Sequence, residues 1–271
     1  MENLQEKLDK NLLQYNRQEF IASDPIQVPH LFSKKEDIEI AAFLTSIIAW
    51  GNRKMIINNA LRLMKLLGNS PHIFLLEKVP DYGKMNAANL AELSSNPEWQ
   101  AIKHFVHRTF NSYDCMFFLL SLKRIYVELG GLEEVFNSGF AVDKTIFSAL
   151  KFFRQEFLFL PHDKRVERHL SDAAKNSASK RLNMFLRWMV RQDSSGVDFG
   201  LWRAIPPSAL MLPLDVHAGS VSRQLGILTR KQNDWKAVEE VTANLRKFCP
   251  SDPVKYDFAL FGAGVFKDSE M

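Results

Sequence analysis

Lys180 and Asp215 are the residues of this sequence best suited to act together on a chemical bond. Lys180 lies in the run Asn176-Ser177-Ala178-Ser179-Lys180-Arg181, which opens a basic helical segment reaching Arg191. Asp215 lies in Pro213-Leu214-Asp215-Val216-His217. A neutral lysine amine is a nucleophile that forms a Schiff base with a sugar carbon. A fixed carboxylate stabilises positive charge growing on that sugar and accepts a proton from the attacking group. These are the two groups needed to cut a base from its sugar, with strand scission to follow. The amine must lose its proton well below the ordinary value of about 10.4, and a helix start among Lys175 and Arg181 supplies the positive potential for this. The same helix start offers free backbone N–H groups to a phosphate.

The elements that must position these groups read as helices throughout, with no strand alternation, so the expected class is all-α. An N-terminal helix ends near Gln18. Ser33-Lys34-Lys35-Glu36 reads as a capping box opening a helix through Ala49, and a second helix runs from about Lys54 to Leu67. Further helices are expected near Pro97–Asn111, Asp114–Leu129, Leu132–Ser138 and Asp143–Phe157. Leu182, Phe185, Leu186, Met189 and Val190 form the buried stripe of the basic helix, and Trp188 reads as half-buried packing. Asp215 caps a helix to about Gln224, followed by helices at Trp235–Phe248 and Pro253–Gly262, the last with proline at its first position.

At 271 residues the chain buries a substantial core as one large or two small domains. The 21 phenylalanines suit packing between helices. Cys115 and Cys249 are the only cysteines, too few for a disulfide framework or a four-cysteine iron–sulfur cluster. No zinc-ligand spacing appears among the histidines, so neither metal nor cofactor is expected. The N-terminal Met1-Glu2-Asn3 run lacks the order of a secretory signal, and the longest apolar stretch is half a bilayer span. A cytoplasmic protein without membrane contact is expected. Charge is concentrated in Lys164–Arg191, where eight basic residues face Glu167 and Asp172. That segment carries +6, leaving −2 for the rest of a chain whose net charge is +4. It reads either as a solvated helix face or as a grip on nucleic acid.

Pro213-Leu214-Asp215-Val216-His217, with Leu225-Gly226 downstream, resembles the aspartate motif of the helix-hairpin-helix DNA glycosylases. Residues 164–264 carry most of the likeness, and 36–67 a looser one. Within it, the chain is most similar to a bacterial group of unassigned function near those enzymes. The resemblance implies a two-lobed helical fold, with 20–70 and 225–271 in one lobe and 71–224 in the other. The second lobe would contain a hairpin-like region at 164–191. It further implies excision of damaged bases from double-stranded DNA by a monomer, with Lys180 as nucleophile and Asp215 as stabiliser. Lys175, Asn176, Ser177, Arg181 and Arg187 would contact DNA, as would Asn52, where family members fill the gap left by a flipped base.

The family's hairpin turn reads Leu-Pro-Gly-x-Gly, whereas Ala174-Lys175-Asn176-Ser177-Ala178 stands in its place. The Gln192–Met211 insertion lengthens the stretch between Lys180 and Asp215 and brings in Asp198 as a rival carboxylate. Three readings stay open: a glycosylase with lyase capacity, a nucleic-acid-binding protein on the same fold, and a helical scaffold.

Overall fold

The computed structural model describes residues 4–81, 97–100 and 102–267. Met1, Glu2 and Asn3, part of the N-terminal stretch read above, lie outside the described residues. The fold is all-α; among the described residues the only β pairings are two single bridges, His107 with Phe110 and Ser177 with Asp234. No helix among them is long and apolar enough to cross a membrane. In chain order the helices are α1 (Leu4–Tyr15), α2 (Lys35–Ile47), α3 (Arg53–Leu66), α4 (Pro71–Glu77), α5 (Pro97–Gln100) and α6 (Ser112–Glu128). They continue with α7 (Leu132–Ala141), α8 (Ile146–Phe157), α9 (Lys180–Val190), α10 (Val216–Gln224), α11 (Trp235–Phe248) and α12 (Tyr256–Lys267). Short 3-10 turns fill several of the connections.

Several expected boundaries move: α1 ends at Tyr15 rather than near Gln18, α8 starts at Ile146 rather than Asp143, and α12 starts at Tyr256 rather than Pro253. The Ser33–Glu36 capping box does not form: α2 starts at Lys35 with Lys34 at its cap and no side chain capping it. The helix expected over Pro97–Asn111 is a single turn, α5, followed by a 3-10 turn at Ile102–His104. A tight turn closes beyond it, with His107 N–H bonding Phe110 O and Arg108 at φ 54°. A left-handed residue there ends any helical run.

The chain divides into two compact units. One is Met1–Asp24, Lys144–Phe147 and Ser171–Met271; the other is Pro25–Asp143 and Ser148–Leu170. This differs from the expected lobes, because 25–70 joins 71–143 and 171–224 joins the C-terminal helices. The reason is which amphipathic faces meet. In the second unit α2 packs on α3 and α4, and α4 on α6; in the first, α1 and α10 both pack on α12.

Phenylalanines form the centre of the second unit, as their abundance predicts. The Phe43 ring meets Phe118, Phe153 and Phe157 with centroids 6.1, 5.5 and 5.3 Å away, and Phe136 stacks on Phe153 at 4.3 Å. All five rings are buried. Edge-to-face and offset pairs of this kind add to the gain from burial itself. Among the acids buried in this unit, Glu39 accepts from the Tyr126 hydroxyl at 2.7 Å and lies 3.5 Å from Lys35 Nζ. Removing the central ring leaves a cavity that rigid neighbours cannot fill. Phe43→Ala is therefore expected to lower the unfolding free energy by about 3–5 kcal/mol, measured by urea denaturation.

Candidate functional site

The chain reaches Lys180 through a hairpin that closes without glycine. Asp172 accepts from Ala174 N–H at 3.0 Å and starts a 3-10 turn over Ala173–Lys175. Asn176 follows at φ 64° and Ser179 at φ 48°, both left-handed. Asparagine is among the few non-glycine residues that accept this conformation at small cost. Asn176 stands third in the five-residue turn, where the resembled pattern has its first glycine. Its side chain donates to Asp234 at 2.9 Å, and its carbonyl accepts from Trp235 N–H at 3.2 Å. The hairpin is thereby fastened to the start of α11. Ser177 Oγ accepts from Ser179 N–H at 3.2 Å, and Asn183 donates to Ala178 O at 3.1 Å, so the turn is also tied to α9.

Asp215 arrives from the opposite direction. The apolar run Leu210–Leu214 is buried, and Leu212 N–H bonds Thr242 Oγ1 at 3.1 Å, which fixes the approach. Asp215 caps α10, as expected, with Oδ1 accepting from Ala218 N–H at 2.8 Å. Its carbonyl accepts from the Asn233 amide at 2.9 Å. Gly219 makes that possible, because a Cβ there would lie 2.6 Å from Asn233 Oδ1.

With Oδ1 occupied by the cap, Oδ2 of Asp215 lies 3.9 Å from Lys180 Nζ. The two groups therefore face one another, although 35 residues separate them in the sequence. The separation is an ion-pair distance, too long for a direct hydrogen bond. Lys180 Nζ also lies 3.8 Å from Met184 Sδ. Both residues line a cleft with Phe20, Asp24, Arg187 and Asp257. Its volume is about 40 Å³, room for a water molecule or so and no more.

Other expected site residues divide. Lys175 is exposed and 3.9 Å from Asp172, and Asn176 is exposed with its side chain engaged by Asp234. Arg181 is half-buried; burial pushes its guanidinium down to about 10, where it is still charged at neutral pH. Asn52 is exposed and caps α3 by accepting from Met55 N–H at 3.1 Å, and it belongs to the other unit.

Arg187 is a correction. It is 5% exposed, its Nε lies 3.2 Å from Asp198 Oδ1, its Nη1 bonds Asp257, and its cation sits 4.4 Å over the Phe258 ring. A guanidinium held this way is not a phosphate contact. Arg191 is placed similarly, with Asp198 at 3.0 Å, Asp252 at 2.8 Å and Asp193 at 2.6 Å. Desolvation works against both cations, but the surrounding carboxylates raise them above the ordinary arginine value. Asp198 is excluded as the rival carboxylate, since its side chain is fully buried and each oxygen pairs with an arginine. Trp188, expected to be half-buried, is fully enclosed and offers no stacking face.

Asp257 is the residue that sequence reasoning missed. It sits in the first turn of α12, where an acidic residue is ordinary, so nothing in the sequence marks it. In the fold it is buried on the same cleft as Lys180 and Asp215. Burial holds its carboxyl up at about 6; Arg187 works against this, the Asp215 charge adds to it, and Lys180 opposes it. Among the described residues no cluster of His, Cys, Asp or Glu could hold a metal ion.

Two outcomes are expected. Asp198→Ala leaves Arg187 and Arg191 short of their shared partner in a buried setting, and should cost about 3–5 kcal/mol in denaturant unfolding. The second concerns pH. Asp257 binds its proton near 6 in the folded chain and near 3.9 in the unfolded chain, so its contribution is present below about 4 and is lost as pH rises through 6. Wild-type stability should therefore fall across that window relative to Asp257→Asn, and a constant difference between the two would contradict the assignment.

No curated protein and no solved structure matches the chain. The family model described as "Protein of unknown function (DUF2400)" matches residues 24–266. That span takes in Lys180, Asp215 and Asp257 together with most of both units, and the chain belongs to this family.

Proposed function

We propose that this protein is a DNA N-glycosylase with lyase capacity, acting on damaged bases in double-stranded DNA. The observation that carries the reading is the 3.9 Å approach of Lys180 Nζ and Asp215 Oδ2, with Lys180 at the first position of α9. Lys180 attacks as the neutral amine, its ammonium proton given up to water, and Asp215 accepts the amine's second proton only after the Nζ–C1′ bond has formed. The Nζ–C1′ bond forms as the glycosidic bond breaks. That bond's electron pair leaves with the base, which is protonated by water. Positive charge on the sugar is greatest midway, and the Asp215 carboxylate stabilises it there. Sugar-ring opening then gives a Schiff base between Lys180 and C1′. Loss of a C2′ proton from this imine expels the 3′ phosphate and cuts the strand.

Lys175 and the backbone amides at the start of α9, which no side chain caps, would hold the DNA phosphates beside the pair. Asp257 adds a second carboxyl to the cleft, one that burial holds up at about 6, close to the range useful for moving a proton at neutral pH.

One observation favours a second reading, a nucleic-acid-binding protein without base excision: the cleft of about 40 Å³ has no room for a base as it stands. Borohydride trapping separates the two. A hydride added to the imine carbon leaves a stable protein–DNA adduct, so the glycosylase should be captured on duplexes carrying an abasic site or oxidised bases. Lys180→Ala should abolish the adduct, and Asp215→Asn should slow its formation about 100-fold or more. DNA binding with no adduct from the wild-type protein would leave the second reading.

A further inference from the structure

The unit formed by Pro25–Asp143 and Ser148–Leu170 carries a cluster of cations that no part of the proposed chemistry uses. Its centre is the turn between Lys103 and Asn111. Arg62, from α3, donates to His104 O at 3.1 Å. Arg168, from the 3-10 turn at Lys164–His169, donates to Thr109 O at 3.1 Å, and Arg165 reaches the same carbonyl at 3.3 Å. Arg108, at the tip, lies 4.6 Å over the Trp50 ring. It is held there in a left-handed backbone conformation. Its guanidinium occupies the space that a Cβ on Gly51 would fill, 2.5 Å from Nη1.

What distinguishes this cluster is how its charges are held. Arg165 pairs with the buried Asp114 at 3.2 Å. Arg62, Arg108, Arg168 and Lys103 are all exposed, and none of the four forms an ion pair with a carboxylate among the described residues. Carbonyls and an aromatic face orient the guanidiniums without neutralising them. The nearest acid in sequence, Glu167 beside Arg168, is paired with Arg154 at 3.0 Å. By contrast, Arg187 and Arg191 are each surrounded by carboxylates. Cations pre-oriented and left unpaired suit a partner that brings its own dense negative charge. A stacked arginine is also rigid, which reduces the ordering cost of a contact.

We propose that Arg62, Lys103, Arg108 and Arg168 form a binding surface for the phosphate backbone of duplex DNA. The inference takes its partner from the proposed function but is carried by different residues. Phosphate contacts confer grip and register without base specificity, and each one released lowers the salt slope of binding by about one.

The test is fluorescence anisotropy of the full chain on a labelled duplex across a salt series. Lys103→Ala with Arg108→Ala should weaken binding about tenfold or more near 150 mM salt, and should reduce the slope by about two. Arg168→Ala alone should lower the slope by about one. Lys231→Ala with Lys236→Ala, in the other unit, serves as control and should change neither. Borohydride trapping on an abasic duplex is read in parallel. Reduced slopes without any adduct would uphold this surface while sinking the glycosylase reading. An adduct with unchanged slopes would do the reverse. Absence of DNA binding, or better competition by a duplex RNA of the same sequence, would overturn the surface as assigned.

Discussion

The first unit depends on the Asp198 carboxylate, fully enclosed between Arg187 and Arg191. Helix α9 is buried from Leu182 through Val190, yet it carries Arg187 and is followed by Arg191, also buried. Taking two guanidiniums out of water costs several kcal/mol each unless their donors find acceptors. Asp198 supplies one oxygen to each arginine, Asp257 takes a further donor of Arg187, and Asp252 and Asp193 take further donors of Arg191. Because α9 is held on this side, its first residue, Lys180, is placed against Asp215. The Gln192–Met211 segment that separates the two candidate residues in sequence therefore contributes the group that positions one of them.

The same network connects the candidate site to its protonation behaviour. Arg187 is shared between Asp198 and Asp257, so Asp257 receives only part of its charge. Burial then prevails, and the carboxyl is held at about 6. A cleft is left with Asp215 engaged by a helix cap, Lys180 opposite, and Asp257 as a second, buried carboxyl. This combination of fixed charge and perturbed acidity is characteristic of functional sites, although structural ion networks produce it too.

The basic run from Lys164 to Arg191 contributes its charge to several different environments. Residues 164–170 fold into one unit and 171–191 into the other. Arg187 and Arg191 are consumed internally, Arg165 pairs with Asp114, and Arg168 joins cations from α3 and from the Lys103–Asn111 turn. Net charge summed along a sequence window is therefore a poor guide to a surface. The hairpin teaches a related lesson. The turn before α9 closes without glycine because Asn176, a residue type that accepts the left-handed conformation at small cost, takes it up there.

Local features were legible in the sequence alone. Helical periodicity gave the all-α class and the start and end of α11, because spacing along a helix fixes which side chains share a face; the stripe expected on α9 is buried, but so is the rest of Leu182–Val190. The cap at Asp215 was readable for the same reason, since its partner Ala218 N–H lies three residues away. What only the tertiary structure decided depends on contacts between distant segments. The burial of Arg187 rests on Asp198 and Asp257, the latter 70 residues away, and the placement of Lys180 rests on Asp215. The units likewise follow from which amphipathic faces pair, and periodicity shows that a face is apolar without showing what covers it. Asp257 was unreadable for that reason: an acid in a first helical turn acquires a role only when another chain segment brings a lysine and a second carboxylate beside it.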